Sequence, residues 1–182
     1  QELETKGINL KSSTSPWLFS NQVVHLDDVV LNTQKIALVR IKETSKYGVY
    51  HKNSLISVRL FSDNFHNFIE NNLITSEKLI EFFLEHLNKL QAIKKHFHFT
   101  ATEAYRVSHG DNDFFPSIAL DFYNSVYVLQ VSSIIGEFLL PFVTEAILKF
   151  TTLPIFERST GQIRKLENLP ERTRWIREGK EA

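Results

Sequence analysis

The chain has 182 residues, of which 42% are hydrophobic and 15 are phenylalanine, enough for one large or two small domains with a buried core. Its 21 Lys and Arg balance 21 Asp and Glu, which excludes nucleic-acid binding through bulk charge and leaves only local basic patches. Cysteine is absent, which excludes disulfides, thiolate metal sites and a cysteine nucleophile.

The sequence also lacks the patterns of membrane insertion and export. No run is apolar for long enough to span a membrane, and the N-terminus does not have the shape of a signal peptide. We therefore expect a cytoplasmic protein.

The first 65 residues predict a small β domain. Residues 1–20 begin irregularly and end in Pro16-Trp17-Leu18-Phe19, whose aromatic pair is either a core plug or a base-stacking platform. The plug is preferred because Trp and Phe bury large areas. Alternating apolar residues predict strands over 36–41, 47–50 and 55–60, and short strands without a long helix indicate a barrel or sandwich.

Basic residues recur along these predicted strands. They form either an ordinary solvated surface or a patch that contacts the phosphates of a nucleic acid. The six residues are Lys35, Arg40, Lys42, Lys46, Lys52 and Arg59.

Residues 62–72 are polar and predict a connector at a domain boundary, which a long amphipathic helix follows. Thr75 or Ser76 caps this helix, and Lys94-Lys95 suit its last turn. His96 and His98 could begin a zinc site, but no further ligand has a fitting spacing, so surface histidines are the preferred interpretation. The stripe that faces a core consists of Leu79, Ile80, Phe83, Leu87, Leu90, Ile93 and Phe97.

The stretch 105–131 predicts a polar, turn-rich loop followed by a hairpin that turns at Asn124-Ser125. A second helix is predicted over about 136–150, with Pro141 in or near its first turn, and a last strand over 153–158. The order helix, strand, hairpin, helix, strand predicts an α+β sandwich over 73–170. Residues 171–182 predict a loose charged tail. The stripe of the second helix is predicted to be Phe138, Phe142, Ala146, Ile147 and Phe150.

The polar loop leaves two interpretations open. His109, Asp111, Asp113 and Asp121 could bind Mg²⁺ or Mn²⁺ in a small metal-dependent hydrolase. Alternatively, Asp111 and Asp113 cap turns through backbone hydrogen bonds, which is the preferred interpretation. A stand-alone RNA-binding adaptor is a further class of function.

Several motifs carry a resemblance to one family. Pro16, Trp17 and Phe19 match its P-W-V-F, and the segment Tyr50 to Leu60 resembles Y-N-P-x-S-x-I-x-V-R-L. The residues that match there are Asn53, Ser54, Ile56, Val58, Arg59 and Leu60. Phe114 and Ser117 replace two glycines in the central motif Y-R-L-x-x-G-E-x-D-G-L-P-G-L-x-x-D-R-Y. The matching residues there are Tyr105, Arg106, Gly110, Asp111, Asp113, Pro116, Asp121 and Tyr123. The last motif, I-Y-E-R-S-D-x-x-V-R-K-L-E-G-L, is matched by Glu157, Arg158, Ser159, Arg164, Lys165, Leu166, Glu167 and Leu169.

On these motifs the chain resembles the RlmI-like class I methyltransferases, which make 5-methylcytosine in large-subunit ribosomal RNA. The resemblance implies a PUA-like RNA-binding domain over 1–65, a central α+β domain over 73–170, and a tail over 171–182 leading to a catalytic domain absent from this chain. In the family that domain binds S-adenosylmethionine and carries the catalytic cysteine. None of the six glycines here forms G-x-G, so no catalytic residue, metal or cofactor is expected in this chain.

The expected function is that of the RNA-binding N-terminal part of a 23S rRNA 5-methylcytosine methyltransferase, with ribosomal RNA as partner and a homodimer left open. Arg158, Arg164 and Lys165 either contact phosphates or form a structural network with Glu157 and Glu167. The implied RNA contacts are Trp17, Lys35, Arg40, Lys42, Lys46, Lys52, Asn53, Arg59, Arg158, Arg164 and Lys165.

Overall fold

The computed structural model describes residues 2–10, 15–26, 36–42, 44–96 and 104–179. The predictions on Lys35, Phe97 and His98 fall outside these residues. The chain divides into two compact units, Gln1–Phe82 and Phe83–Ala182. Over the described ranges, no helix combines the length and apolarity that a membrane crossing requires.

The first unit contains a seven-stranded sheet with the order β2-β6-β5-β4-β1-β3, and β7 also pairs with β1. β1 and β4 are parallel, whereas β4, β5 and β6 form an antiparallel meander. The path from β2 to β3 does not close within the described residues, so they show an open mixed sheet where a small barrel was predicted. The strands are β1 Glu2–Leu10, β2 Trp17–Phe19, β3 Val23–Leu26, β4 Ile36–Ile41, β5 Tyr47–His51, β6 Ile56–Leu60 and β7 Leu73–Thr75.

β1 corrects the prediction that residues 1–20 begin irregularly. Thr5 pairs with Leu38 of β4, and Leu3 pairs with Ile74 of β7. The strand is therefore held by partners that are distant in sequence, and a local apolar pattern does not reveal such pairing.

One face of this sheet carries the core of the first unit. Leu18, Val58, Tyr50 and Ala37 follow one another across β2, β6, β5 and β4, and all four are buried. Cross-strand neighbours share a face, so this row is the centre of the apolar layer. Ile8, Val39, Ile41 and Leu60 complete it.

The segment 62–72 was predicted to be a polar connector, but part of it packs into the core of the first unit. A 3-10 turn, Asp63–Phe68, places Phe65 and Phe68 in the interior. Phe65 stacks on Phe61 with ring centroids 4.1 Å apart, and Phe82 meets Phe65 edge-on at 4.8 Å. Through the contact of Phe82 with Phe65, the first residues of the following helix belong to the first unit, which ends at Phe82.

The long helix, α1 Ser76–His96, is confirmed. Thr75 caps it, since its Oγ1 accepts a hydrogen bond of 3.2 Å from the Lys78 amide. Ile93 is 50% exposed, so the predicted stripe ends at Leu90. The helix also buries His86, which the stripe did not include.

The second unit is built on a five-stranded sheet with the order β12-β11-β10-β9-β8. Among its described strands, only β10 and β11 pair in parallel, and α2 forms the crossover between them. The predicted α+β class and the order helix, strand, hairpin, helix, strand are present, followed by one short helix and one more strand. The elements are β8 Ala104–His109, β9 Ile118–Tyr123, β10 Val126–Val131, α2 Ile134–Phe150, β11 Ile155–Ser159, α3 Gln162–Leu166 and β12 Arg172–Arg177.

The structure corrects two predictions about α2. The helix begins at Ile134 behind the N-cap Ser133, which places Pro141 in its interior and not in its first turn. Its buried face includes Leu139, Leu140 and Val143, whereas Phe138 and Phe142 are only half-buried. The buried residues recur at three- and four-residue steps from Ile135 to Ile147, so Phe138 and Phe142 lie at the border of the inward-facing stripe and not at its centre.

β12 corrects the prediction of a loose tail. Phe156 pairs with Trp175 and Glu157 pairs with Arg174, so this charged segment is the edge strand of the sheet. Its charges are compatible with a strand because Arg172 and Arg174 both bind the buried Glu157.

Candidate nucleic-acid interface

The predicted basic patch of the first unit is only partly on the surface. Arg40, Lys42 and Lys52 are exposed, and Lys46 is half-buried. Arg59 is 5% exposed, since it lies in β6 between Trp17 of β2 and Val49 of β5. Arg59 is therefore withdrawn from the candidate phosphate contacts, and the exposed candidates that remain include Asn53.

The aromatic pair after Pro16 does not form the predicted plug. Leu18 is fully buried, whereas Trp17 is half-buried and Phe19 is 40% exposed. Side chains alternate along a strand, so burial of Leu18 turns both aromatic rings to the other face. Base stacking by Trp17 stays a prediction.

The polar loop of the second unit follows a left-handed path at several residues. Gly110, Phe114 and Ser117 have φ values of 70°, 55° and 60°. Phe114 and Ser117 thus adopt the conformation that the glycines of the resembling family would take without strain. Pro116 between them is buried.

The carboxylates of this loop are bound to the protein. Asp111 Oδ1 accepts a hydrogen bond of 3.0 Å from the Ser117 amide, and Asp113 Oδ2 accepts one of 2.7 Å from the His109 amide. In the described part of the chain, no three His, Cys, Asp or Glu side chains come together as a metal-binding group. The geometry thus supports the preferred interpretation, in which Asp111 and Asp113 cap turns.

His86 of α1 is a buried residue that the sequence interpretation missed. Burial lowers the pKa of its ring, and the backbone hydrogen bond to Asp113 opposes this change. Tyr105 makes a second contact with α1, because its hydroxyl bonds to the Gln91 side chain at 3.0 Å. Both contacts fix the loop and β8 against the helix.

The side of the second sheet that α2 leaves open forms a groove. One row of side chains crosses all five strands: Arg106, Asp121, Val128, Phe156 and Trp175. The hollow has a volume of about 730 Å³. Its lining also includes Tyr123, Val126, Gln130, Arg158 and Thr160.

The groove brings together four residues that the motifs singled out, Arg106, Asp121, Tyr123 and Arg158. Arg106 binds Asp121 in a bidentate pair, with Nε–Oδ1 and Nη2–Oδ2 distances of 2.7 and 3.0 Å. The hydrogen bond to Asp121 raises the pKa of Arg106. Arg158 is exposed and makes no ion pair with another described residue. Among the described residues that line the groove, Arg158 therefore carries the one charge without an ion-pair partner.

Exposed aromatic rings lie beside these charges. Trp175 is 46% exposed, and its ring centroid lies 5.0 Å from that of Phe156 at an interplanar angle of 64°. Tyr123 is 49% exposed. The sequence interpretation missed Trp175 because it lies in the predicted tail. No strong local pattern marks this segment as a strand, because its apolar residues are few and its partner strand is needed to give it two different faces.

The opposite face of this sheet buries a charged network. Glu157 is fully buried and accepts hydrogen bonds from Ser159, Arg172 and Arg174 at 2.7, 2.7 and 2.8 Å. Glu137 of α2 binds Arg172 at 2.9 Å and Arg164 at 2.6 Å. Burial alone would raise the pKa of Glu157, but the bonds from Arg172, Ser159 and Arg174 outweigh it, and the pKa is lowered.

Of the three cations of the last motif, the network contains Arg164, whereas Arg158 and Lys165 are exposed. Arg164 is 1% exposed and donates to the Val131 carbonyl as well as to Glu137, so it is structural and does not reach a phosphate. Glu167 is structural too, because its carboxylate accepts a hydrogen bond of 2.7 Å from the Ile134 amide at the start of α2. Lys165 is exposed and pairs with Glu171 at 3.4 Å.

Comparisons with known proteins give both named relatives and similar folds. The chain is 26% identical over 161 residues to Ribosomal RNA large subunit methyltransferase I of Aliivibrio fischeri strain ES114, covering 87% of this chain and 38% of that protein. The protein of the same name from strain MJ11 matches equally, with 26% identity over 161 residues. No protein-family model matches the chain.

Two solved structures share the fold. A proposed SAM-dependent methyltransferase from Streptococcus mutans superposes with a TM-score of 0.64 at 15% identity, covering 98% of this chain and 44% of that one. SMU.776, a proposed methyltransferase in complex with SAH, gives 0.61 at 14% identity, over 86% of this chain and 40% of its own. The chain thus spans about two fifths of the proteins it matches. The resemblance to the RlmI-like ribosomal RNA methyltransferases that the motifs predict is confirmed by these relatives.

Proposed function

We propose that this chain is the RNA-binding part of an S-adenosylmethionine-dependent 23S rRNA 5-methylcytosine methyltransferase. The observation that carries the proposal is the alignment over 161 residues, across both units, with a protein named for methylation of large-subunit ribosomal RNA. We further propose that the first unit is a PUA-like module and the second the central domain. The cytoplasmic location and the homodimer stay predictions.

The described turn that most resembles a nucleotide-cofactor site does not fit S-adenosylmethionine. The turn between β10 and α2 is the one that leads from a parallel strand into its crossover helix, where nucleotide-like cofactors usually bind. Here it contains Ser132 and Ser133 in place of glycines. The Ile134 and Gly136 amides at the helix start already bind Glu167 and Ser133. We therefore assign the cofactor to a part of the whole protein that this chain does not contain.

The exposed cations of the first unit are the groups we expect to bind RNA. Arg40 lies in β4, Lys42 directly follows it, and Lys52 follows β5. The net charge of the chain is zero, so long-range attraction is weak and these groups have to meet phosphates locally. Such contacts position RNA without reading its sequence.

The test is to measure the affinity of the chain for fragments of large-subunit ribosomal RNA by fluorescence anisotropy over a series of salt concentrations. Affinity should fall as salt rises, by a slope of about 0.7 to 0.9 for each phosphate neutralised. The triple variant Arg40→Gln/Lys42→Gln/Lys52→Gln should weaken binding about tenfold or more and reduce that slope.

The matched control removes the same three charges elsewhere. Lys78, Lys89 and Lys149 are exposed on α1 and α2, and their replacement by Gln changes the net charge equally. We expect this control to bind RNA nearly as well as the parent chain. Equal weakening by both triple variants, or no binding to ribosomal RNA at low salt, would contradict the proposal.

A further inference from the structure

We propose that the groove on the open face of the second sheet holds one or two unpaired RNA nucleotides, with a base stacked on Trp175 and a phosphate bound by Arg158. This inference rests on the proposed function, because it assumes that the chain binds RNA. It adds a second RNA site, in the other unit, that selects single-stranded over duplex RNA.

The aromatic rings provide the stacking surface. About half of the Trp175 side chain is exposed, although it stands on a strand whose neighbours include Phe156. The contact between the two rings, with centroids 5.0 Å apart at 64°, supports the indole and still leaves 46% of Trp175 exposed. A base has a π-face of similar size, and stacking on such a ring is worth about 1–3 kcal/mol per base.

The charges on this face suit a phosphodiester. Asp121 is the carboxylate of the groove, and Arg106 neutralises it through two hydrogen bonds. In the described lining of the groove, the charge that remains without an ion-pair partner is therefore the guanidinium of Arg158, which can bind two phosphate oxygens at once. Arg158 and Trp175 lie on adjacent strands, since Arg158 pairs with Thr173 and Phe156 with Trp175.

The size and the polar lining of the groove favour unpaired nucleotides. Its volume of about 730 Å³ can contain one or two bases but not a helix, and duplex RNA keeps its bases inside the stack. Gln130 supplies an amide whose bond to the Thr160 carbonyl is long, at 3.4 Å. That amide can turn to meet the hydrogen-bonding edge of an unstacked base.

A protein partner suits the groove less well than RNA does. A second copy of the chain, or another segment of the whole protein, would cover an apolar face most effectively where no charge remains unpaired. Burial of Arg158 under such a partner would desolvate its guanidinium without a counter-charge among the described groove residues. An RNA phosphate supplies that counter-charge.

The experiment uses the 182-residue chain with Trp17→Phe, in which Trp175 is the one remaining tryptophan and reports directly on the groove. Its emission should be quenched by a single-stranded ribosomal RNA oligonucleotide and not by the same sequence in a duplex. In the parent chain, Trp175→Ala and Arg158→Gln should each weaken single-strand binding about fivefold or more, and Trp175→Phe should restore most of it.

The controls remove a similar group from another surface of the same unit. Leu166→Ala removes an apolar side chain that is 74% exposed, and Lys149→Gln removes an exposed charge from α2. Both should bind single strands like the parent. Thermal unfolding of each variant separates lost binding from lost folding.

Several outcomes would overturn the inference. Unchanged Trp175 emission together with unchanged affinity of the Trp175→Ala chain, while the triple variant of the first unit still weakens binding, would refute this site and leave the proposed function intact. Equal affinity for single strands and duplexes would refute the selectivity. A change in emission with protein concentration and without RNA would show that a second copy covers the groove. Absence of all RNA binding would refute both proposals.

Discussion

Gly48 shows how one residue can fix the spacing of two strands. It lies in β5, opposite Leu60 of β6. A Cβ atom at this position would meet the Arg59 carbonyl oxygen at 2.5 Å and Val58 Cγ1 at 3.1 Å. The first of these is a backbone atom of the neighbouring strand, so it cannot rotate away as a side chain could. A side chain at residue 48 therefore requires β5 and β6 to move apart.

We predict that Gly48→Ala destabilises the first unit by about 1–3 kcal/mol, the usual cost of forcing extra volume into a packed interior. The measurement is the midpoint of urea unfolding. Ser45→Ala changes an exposed residue in the turn just before β5 and should leave the midpoint nearly unchanged. Equal midpoints for the Gly48→Ala and parent chains would show that the strands tolerate the added methyl group.

Glu157 is a second residue on which local structure depends. It is a fully buried carboxylate, and Arg172 and Arg174 reach it from β12. Removing one member of a buried ion pair leaves the other charge without its partner, which costs more than the pair contributes. β12 is therefore held to β11 by this residue as well as by the backbone ladder.

The stability contributed by Glu157 should depend on pH. Its pKa is lowered in the folded protein from an ordinary value of 4.5, so the folded state favours the ionised form. The contribution is then fully present above pH 4.5 and is lost as the pH falls through the lower, folded-state pKa. We expect Glu157→Gln to cost on the order of 3 kcal/mol at neutral pH and progressively less in acid.

The measurement compares the unfolding free energies of the parent and Glu157→Gln chains at neutral pH and at several pH values below 4.5. Glu145→Gln, on the exposed side of α2, is the control and should change stability little at any pH. A gap between the parent and Glu157→Gln chains that stays constant as the pH falls would contradict the assigned pKa change.

At the scale of elements, the hairpin of β9 and β10 depends on its two-residue turn. Asn124 and Ser125 both have positive φ, 37° and 76°, as a type I′ turn requires. Asn tolerates this conformation, but Ser pays a steric cost there because of its Cβ atom. The register of all six residue pairs in the hairpin follows from this turn.

We therefore predict that Ser125→Gly stabilises the second unit, by about 0.5–1 kcal/mol, because relief of the left-handed strain exceeds the entropy gained by the unfolded chain. Ser125→Ala retains the Cβ atom and should not stabilise. Thermal unfolding of the two variants measures the difference. A Ser125→Gly chain that melts at or below the temperature of Ser125→Ala would contradict the strained turn.

The elements that sequence predicts well are those with a local signal. α1 has a cap at Thr75 and a long apolar period, and the hairpin alternates on both sides of Asn124-Ser125. β1 and β12 have no such signal, because their partners are distant in sequence or their apolar residues are few. The sequence did not predict Phe65 and Phe68 as core residues, because the segment around them is polar. Their burial results from tertiary packing.

The same distinction applies to the candidate interface. Arg106, Asp121 and Arg158 were found through motifs, and the sheet places all three on its open face. A sequence motif does not reveal which of its side chains face inward. From the motif alone, Arg158 and Arg164 were therefore equally good candidates for a phosphate contact, and only the burial of Arg164 distinguishes them. Trp175 required knowledge that the segment 172–177 pairs with β11.

At the scale of the whole molecule, the described strand pairings all lie within one unit or the other. Each unit also has its own buried cluster, and α1 contributes Phe82 to the first and Phe83 to the second. A chain with two separate cores need not unfold in one step. The two tryptophans provide one probe for each core, because Trp17 belongs to the first unit and Trp175 to the second.

We predict that the units unfold in distinguishable transitions. In a Trp175→Phe chain the emission of Trp17 reports the first unit, and in a Trp17→Phe chain that of Trp175 reports the second. Adding Gly48→Ala should lower the urea midpoint seen by Trp17 and leave that of Trp175 nearly unchanged, whereas Glu157→Gln should do the reverse. Each substitution lies in a unit that contains only one of the two tryptophans, and effects at well-separated sites do not couple strongly. If either substitution shifted both midpoints by the same amount, the two units would be a single cooperative structure.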